Sequence, residues 1–139
     1  MKKLTVDAKV EKLDEVMAFV EGELEAAGAS MKETMGITLA VEEVFVNIAH
    51  YAYEGGDAGE GSADISVELC ENPKSVTIIF ADWGKPYNPL EREDPDITLS
   101  AEERGIGGLG IFLVKKNMDE VSYEYRDGMN VLTTKKNLL

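Results

Sequence analysis

The order in which helical and strand periodicities follow one another limits the folds open to this sequence. A loosely alternating segment at 2–7 precedes two stretches, 9–27 and 30–53, whose apolar residues recur at helical spacing. Two strand-like segments follow, then a long irregular segment, a helical stretch at 108–118 and two short strands. This order predicts an α+β fold: a two-layer α/β sandwich with helices on one face of a mixed, mostly antiparallel sheet.

Local signals indicate where these elements begin and end. Gly28 stops the first helix, and Ser30 with Glu33 three positions later matches the capping box that starts the second. Asp127-Gly128 is a strong hairpin signal between the last two strands. The strand segments after the second helix are predicted at 65–69, 76–81, 121–125 and 131–133.

Charge and composition narrow the partners and the compartment. The 139 residues fit one domain, 1–139, and a net charge of −13 disfavours direct nucleic-acid binding. The charge suits a basic protein partner, although solubility alone is the commoner reason for such a charge. No apolar run is long enough to span a membrane, and Met1–Asp7 lacks the apolar core of a signal peptide. With Cys70 as the only cysteine, these features predict a cytoplasmic protein without internal disulfides.

The second helical stretch carries a polar pair beside its apolar stripe. Glu43 and Asn47 are four positions apart, so they share one helix face, and Gly36 and Ala40 on the same face leave room next to them. A carboxylate and an amide oxygen placed in this way can hold a metal ion or activate a hydroxyl. A solvated pair is the commoner arrangement. The predicted core stripe consists of Ile37, Val41, Val44, Phe45, Ile48 and Ala52.

A second polar signal ends the apolar strand at 76–81. Asp82 follows the strand directly, and Gly84 comes two positions later. A carboxylate at a strand end can accept a hydrogen bond from an exocyclic amine such as that of adenine, and a glycine lets the backbone approach a flat ring. Asp and Gly also favour ordinary turns, so this signal alone leaves both interpretations open.

A glycine-rich string opens the last helical stretch. Four of the six residues from Gly105 to Gly110 are glycine, which indicates a phosphate-binding hinge because the free N–H groups and the dipole of a helix N-terminus attract anions. A dinucleotide-binding fingerprint is rejected, since it needs a preceding strand and a βαβ unit. The irregular segment before the string is predicted to be a mobile lid at about 85–106, since loops of about 20 residues in compact domains are usually functional.

Together these segments resemble the GHKL ATPases, which share the Bergerat ATP-binding fold, and most closely the anti-sigma-factor serine kinases of the RsbW and SpoIIAB type. The family pattern Glu-x-x-x-Asn corresponds to Glu43–Asn47, Asp-x-Gly to Asp82–Gly84, and the glycine hinge to Gly107–Gly110. The stretches 82–89 and 107–123 resemble this subfamily specifically. The likeness spans nearly the whole chain.

The resemblance implies roles for the matched residues. Glu43 is the expected general base toward a protein hydroxyl, and Asn47 the expected ligand of the Mg²⁺ that bridges the phosphates of ATP. Asp82 is expected to bind the adenine amine, with Gly84 beneath the ring. The hinge residues expected to surround the phosphates are Gly105, Gly107, Gly108, Leu109 and Gly110.

The resemblance leaves two contacts open. Either Thr133 or Thr134 on the last strand is expected to support the adenine, and Thr133 is kept as the candidate. Arg104 beside the hinge is a candidate phosphate contact, although a solvated lid residue fits equally well.

The resemblance also implies an activity. We expect an ATP-dependent serine/threonine-protein kinase that phosphorylates a STAS-domain anti-sigma antagonist, sequesters a sigma factor and forms a homodimer, with residues 2–7 as a candidate pairing edge. Two alternatives are a nucleotide-gated binding module that switches partners without transferring phosphate, and an RsbT-like activator of another protein. Glu43 discriminates the first of these from a kinase, because a pure binding module needs no base.

Overall fold

The computed structural model describes residues 1–56, 59–71, 74–91 and 108–138. Three α-helices pack on one face of a five-stranded sheet, which confirms the predicted α+β sandwich. From 92 onward the predicted lid lies outside the described residues, and so do Arg104, Gly105 and Gly107. The elements are β1 (Lys2–Asp7), α1 (Leu13–Ala27), α2 (Met31–Tyr51), β2 (Ser62–Cys70), β3 (Ser75–Asp82), α3 (Gly108–Asn117), β4 (Glu120–Arg126) and β5 (Met129–Asn137).

The sheet has the strand order β1-β2-β3-β5-β4, and all of its described pairings are antiparallel. β5 runs between β3 and β4, so the end of β3 meets the beginning of β5. In that register Asp82 is opposite Asn130, and Phe80 is opposite Leu132. The sheet thereby places Asp82, the polar residue at the end of β3, next to the first residues of β5, which follow the turn between β4 and β5.

The core lies between the helices and one face of the sheet. Its members are apolar side chains from α1, α2, α3 and the strands, and burial of such side chains stabilises each by roughly 1.5–3 kcal/mol relative to exposure. The largest fully buried ones are Phe45, Phe80, Leu24, Ile37, Ile65, Ile78 and Ile111. Among the described helices, none combines the length and the apolar character that crossing a bilayer requires.

The ends of α2 show how local sequence sets this layer. Ser30 and Glu33 form the predicted capping box: the Ser30 N–H donates to Glu33 Oε1 at 2.8 Å, and the Glu33 N–H donates to Ser30 Oγ at 3.1 Å. Ile37, Val41 and other members of the N-terminal part of the predicted stripe are buried. At the other end, Ile48 is only partly buried, because the stripe here becomes the wall of a cavity.

α3 packs antiparallel along the face of α2 that carries the polar pair. A Cβ added to Gly36 would lie 3.1 Å from Asn117 Oδ1 at the end of α3. A Cβ added to Gly110 would lie 2.8 Å from Glu43 Oε2 near the start of α3. The small residues on this face therefore admit a neighbouring helix, and the first turn of α3 lies beside the C-terminal half of α2.

Two element ends differ from the sequence-based expectation. The first helical stretch begins with a 3₁₀ turn, Val10–Lys12, before α1 starts at Leu13. β5 continues to Asn137, beyond the predicted 131–133, because pairing with β3 carries the polar residues Lys135 and Lys136 into the ladder. The hairpin prediction is confirmed, since Asp127 and Gly128 have φ values of 54° and 79°, as a type I′ turn requires.

Candidate functional site

A cavity of about 610 Å³ opens between α2, α3 and the adjoining ends of β3 and β5. Asn47 and Asp82, which are 35 positions apart in the sequence, both line it, and Ile111 of α3 contributes a third wall. The structure thus joins the three segments that the sequence singled out. The full lining is Val44, Asn47, Ile48, Tyr51, Ala52, Phe80, Asp82, Lys85, Tyr87, Pro89, Ile111, Tyr123, Asn130 and Leu132.

Asp82 is the buried carboxylate of this cavity, with 6% of its surface exposed. Its Oδ1 accepts hydrogen bonds from the Gly84 N–H at 2.9 Å and from Asn130 Nδ2 at 3.0 Å. Burial raises the pKa of Asp82, and these two hydrogen bonds act in the opposite direction. Among the described residues none donates to Oδ2, so this oxygen remains an acceptor in a site lined by apolar groups.

The turn after Asp82 is attached to the end of α2. A Cβ at Gly84 would lie 2.1 Å from the Ala52 carbonyl oxygen, so only glycine fits there without displacing backbone. The Lys85 N–H donates to the same carbonyl at 3.2 Å. The Tyr53 hydroxyl accepts from the Trp83 N–H at 2.8 Å, which fixes the position of the residue between Asp82 and Gly84.

Glu43 and Asn47 lie where α2 and α3 meet. Both are partly buried, and the position of a Cβ on Gly110 would be 2.8 Å from Glu43 Oε2 and 3.7 Å from Asn47 Nδ2. Burial raises the pKa of Glu43, and the neighbouring Glu42 carboxylate adds to the effect. A glycine at position 110 lets α3 approach this carboxylate without displacing it.

The N-terminus of α3 lies beside the same pair. Gly108 and Leu109 begin the helix, so their backbone N–H groups belong to the first turn, whose donors have no partner inside a helix. Gly110, in the first turn of α3, lies next to Asn47, whose side chain lines the cavity. The positive end of the α3 dipole is therefore close to the Asn47 amide. The arrangement is able to bind an anion between α3 and α2.

The two candidate threonines lie outside the cavity lining. Thr134 is 2% exposed, and its hydroxyl donates to the Ile78 carbonyl at 2.9 Å within the sheet. Thr133 immediately precedes Thr134 on β5, so its side chain points to the opposite face of the sheet. On the described residues, Asn130 and Leu132 are the β5 side chains that reach the cavity.

Asn130 is the site residue that sequence reasoning missed. It is 8% exposed, and its amide contacts both Asp82 and the backbone after it. One signal was present in the sequence. Asparagine is depleted in strands, yet Asn130 lies two positions after the Asp127-Gly128 turn, inside the strand that the turn introduces. Tyr51, Tyr87 and Tyr123, which add aromatic surface to the cavity, carry no comparable signal in the sequence.

A two-layer domain with a buried carboxylate, a helix-borne Asn and a helix N-terminus around one cavity defines a nucleotide-binding domain of the ATPase type. Comparison with known families agrees. Residues 6–136 match the family described as "Histidine kinase-like ATPase domain", so the chain belongs to that family.

Similar proteins of known name are protein kinases. The chain is 29% identical over 136 residues to the serine-protein kinase RsbW of Listeria monocytogenes, covering 95% of this chain and 84% of that protein. It is 26% identical over 136 residues to RsbW of Bacillus pumilus, covering 95% of this chain and 83% of that protein. It is 32% identical over 97 residues to the serine/threonine-protein kinase BtrW of Bordetella bronchiseptica, covering 70% of this chain and 66% of that protein.

A solved structure shares the fold. The crystal structure of the RsbU and RsbW domains of a Mycobacterium tuberculosis protein matches with a TM-score of 0.64 at 16% identity, over 99% of this chain. This chain spans a third of that protein, 33% of its length. The recognition of an RsbW-like GHKL kinase is thereby confirmed, and with it the expected class of ATP-dependent serine/threonine-protein kinase.

Proposed function

We propose that this protein transfers the γ-phosphate of Mg²⁺-bound ATP to a serine or threonine hydroxyl of a STAS-domain anti-sigma antagonist. The observation that supports this most directly is the single cavity of about 610 Å³ that Asn47 and Asp82 both line, next to the contact between Glu43 and Gly110. One end of that cavity suits a nucleobase and the other suits phosphates.

The base end is built around Asp82. Its Oδ2 is an acceptor in an apolar surrounding, where a hydrogen bond from an exocyclic amine gains most, and Phe80 and Leu132 line the space beside it. Adenine carries such an amine, whereas guanine presents a carbonyl at the corresponding position. This chemistry favours ATP over GTP.

The phosphate end is built from Asn47 and the first turn of α3. Mg²⁺ usually binds through one or two protein oxygens together with substrate phosphates and water, and the Asn47 amide oxygen is a ligand of this kind. When bound, Mg²⁺ would be held by the Asn47 amide oxygen and would neutralise negative charge on the phosphates. The N–H groups at Gly108–Gly110 add donors for the phosphates. Gly105, Gly107, Arg104 and the lid from 92 onward remain predictions outside the described residues.

Glu43 is suited to accept the proton of the attacking hydroxyl. The hydroxyl oxygen bonds to the γ-phosphorus, the bond to the bridging oxygen of the β-phosphate breaks, and the proton passes to the carboxylate. Burial raises the pKa of Glu43, which makes its carboxylate a stronger base.

The partners follow from the relatives rather than from a contact in this structure. Because the chain resembles anti-sigma-factor kinases of the RsbW type, we infer a STAS-domain antagonist as phosphate acceptor and a sigma factor as a second, sequestered partner. The net charge of −13 suits a partner with a basic docking face.

The test separates binding from transfer. Wild type, Glu43→Ala and Asn47→Ala are compared for ATP affinity by calorimetry and for transfer of labelled γ-phosphate to the cognate antagonist. Glu43→Ala should retain ATP affinity and lose about 10²–10⁴-fold in rate, whereas Asn47→Ala should lose both. Glu42→Ala, which removes the adjacent carboxylate on α2 and with it the smaller cause of the raised Glu43 pKa, is the matched control and should retain ATP affinity and most of the transfer rate.

Two results would overturn the proposal. Glu43→Ala that phosphorylates at the rate of Glu42→Ala would exclude Glu43 as the base. Wild type that binds ATP but transfers nothing to any STAS-domain protein would favour the nucleotide-gated binding module.

A further inference from the structure

The amide of Asn130 makes more hydrogen bonds than any other side chain around the cavity that the structure describes. Its Nδ2 donates to Asp82 Oδ1 at 3.0 Å and to the Lys85 carbonyl at 2.9 Å, with a longer contact of 3.4 Å to the Gly84 carbonyl. Its Oδ1 accepts from the Tyr87 N–H at 3.1 Å and from the Tyr123 hydroxyl. Both N–H bonds and both lone pairs of the amide are therefore used.

These bonds connect parts of the chain that are far apart in sequence. Asn130 is the second residue of β5, Tyr123 lies on β4, and the bonded backbone belongs to the segment that leaves β3. Because the amide is planar and fully bonded, it can adopt this arrangement in one orientation only. The carboxylate of Asp82 and the path of residues 84–87 are thereby fixed by the same group.

We propose that Asn130 is a positioning and specificity-determining residue for the nucleobase: it holds Asp82 with Oδ1 turned to the sheet and Oδ2 turned to the cavity, and it anchors Tyr87 at the cavity wall. This inference rests on the proposed function of Asp82 as the reader of adenine. Asn130 acts through Asp82, and no contact of its own with the nucleotide is required.

The chemistry of the amide predicts that few other residues can replace Asn130. An N–H donor favours the ionised form of Asp82, since the hydrogen bond from Asn130 lowers the pKa that burial raises. Without the donor, a larger share of Asp82 is protonated, and a protonated carboxyl donates where an acceptor is needed. Loss of Asn130 should therefore weaken ATP more than GTP.

Asn130→Asp and Asn130→Ala test the proposed role of Asn130. The difference in ATP affinity between variant and wild type should depend on pH differently in the two variants. In Asn130→Asp a second carboxylate faces Asp82, and ATP affinity at about pH 8.5 should fall roughly 10- to 100-fold below wild type. On acidification to about pH 6 a shared proton lets one carboxyl donate to the other, so the difference from wild type should narrow. In Asn130→Ala no proton replaces the lost donor, so its difference should not narrow.

The other ionisable groups around this network are present in both variants at position 130. They are Tyr53 and Tyr51 from the end of α2, Lys85 and Tyr87 from the segment after β3, Tyr123 from β4, and Glu43 across the cavity. Asn130→Ala keeps all of these groups, so any pH dependence of ATP affinity that comes from them is the same in this variant as in Asn130→Asp. Asn137→Asp makes the same chemical change at the exposed far end of β5 and should bind ATP as wild type does.

Tyr123→Phe keeps the proposal testable if changes at Asn130 prevent folding. It removes one donor to Asn130 Oδ1, and ATP affinity should fall roughly two- to tenfold with little change in GTP affinity. Trp83, the only tryptophan, lies next to Asp82, so its emission should shift in this variant as the segment loosens.

The ATP affinity of Asp82→Ala, measured in parallel, separates the proposed role of Asp82 from the proposed role of Asn130. If Asp82→Ala leaves ATP affinity unchanged, the proposed role of Asp82 fails and the role of Asn130 fails with it. If Asp82→Ala weakens ATP while the folded variants at 130 and 123 bind it as tightly as wild type, the role of Asn130 alone is overturned. A difference between Asn130→Asp and wild type that does not change with pH would also overturn it.

Discussion

Two carboxylates of this site are held in surroundings that disfavour their charge. Asp82 is 6% exposed and has hydrogen bonds to one oxygen, whereas Glu43 is partly buried beside Glu42 and Gly110. Burial raises the pKa of both side chains. A protein that only needed stability would gain by replacing them with neutral groups, so their presence at one cavity is evidence of function.

Replacement of Asp82 tests the base end of the site. In Asp82→Ala, ATP affinity should fall by roughly ten- to a hundredfold, because a hydrogen bond to a charged group contributes about 1.5–3 kcal/mol. Wild type should bind GTP poorly, and its ATP affinity should decline on acidification through the raised pKa of Asp82, whose ordinary value is 3.8. Calorimetry with both nucleotides checks this, and equal affinities for ATP and GTP in wild type would contradict it.

Replacement of Glu43 by Gln separates function from stability. The pKa of Glu43 is higher in the folded protein than its ordinary value of 4.5, so the folded state binds a proton more tightly than the unfolded chain. The free energy of unfolding therefore decreases as the pH rises from 4.5 through the higher pKa of the folded state. Above that pKa the ionised side chain is unfavourable in the folded protein. Glu43→Gln should melt at a higher temperature at about pH 7.5, while transferring phosphate about 10²–10⁴-fold more slowly.

The pH dependence supplies the control for this prediction. As the pH is lowered towards 4.5, wild-type Glu43 becomes neutral, and the advantage of Glu43→Gln in thermal unfolding should shrink. A Glu43→Gln protein that is less stable than wild type at neutral pH would mean that the carboxylate makes a favourable interaction in the folded state.

At the scale of elements, much of this structure follows from the sequence. The order of strands and helices, the capping box at Ser30 and the turn at Asp127-Gly128 were all predicted correctly, because each depends on neighbours within a few residues. The meeting of Asn47 and Asp82 needed the family resemblance as well, since spacing along the chain does not place two distant segments together.

The parts of the site that were not predicted depend on the register in which β3 and β5 pair. A single sequence does not specify that register. Asn130 reaches Asp82 because β3 and β5 pair with these residues opposite one another, and a shift of one position would turn the amide to the other face. The candidate Thr133 illustrates the same limit: its position on the last strand was predictable, whereas the face that it occupies depends on the alternation set by that pairing.

The contact between α2 and the turn after β3 gives an element-scale prediction. Gly84→Ala places a Cβ 2.1 Å from the Ala52 carbonyl oxygen, and backbone on both sides has to move, so we expect a loss of about 1–3 kcal/mol in the free energy of unfolding. Gly22→Ala in α1 is the control: a Cβ there meets nothing within 4 Å, and alanine in a helix should stabilise by about 0.5–1 kcal/mol. Urea denaturation measures both, and equal effects would contradict the packing argument.

At the scale of the whole molecule, charge and sheet edges govern association. The chain carries 27 acidic and 14 basic residues, so two copies repel one another at low ionic strength. β1 and β4 are the two edges of the sheet. On β1, the side chains of Lys2 and Lys3 stay 75% and 58% exposed although they contact Glu23 at 3.5 Å and Asp64 at 3.7 Å, so this edge presents two basic side chains to solvent.

The last prediction concerns the oligomeric state. The resemblance to RsbW-type kinases leads us to expect a homodimer, and β1 provides an exposed strand edge for it. Because each protomer has a net charge of −13, salt should screen the repulsion, and the dimer fraction in sedimentation at micromolar concentration should rise between about 20 mM and 300 mM NaCl. A single species of 15.2 kDa at both salt concentrations would contradict the dimer. A dimer that dissociates as salt is added would instead indicate an interface held by opposite charges, with the lysines of β1 as its basic half.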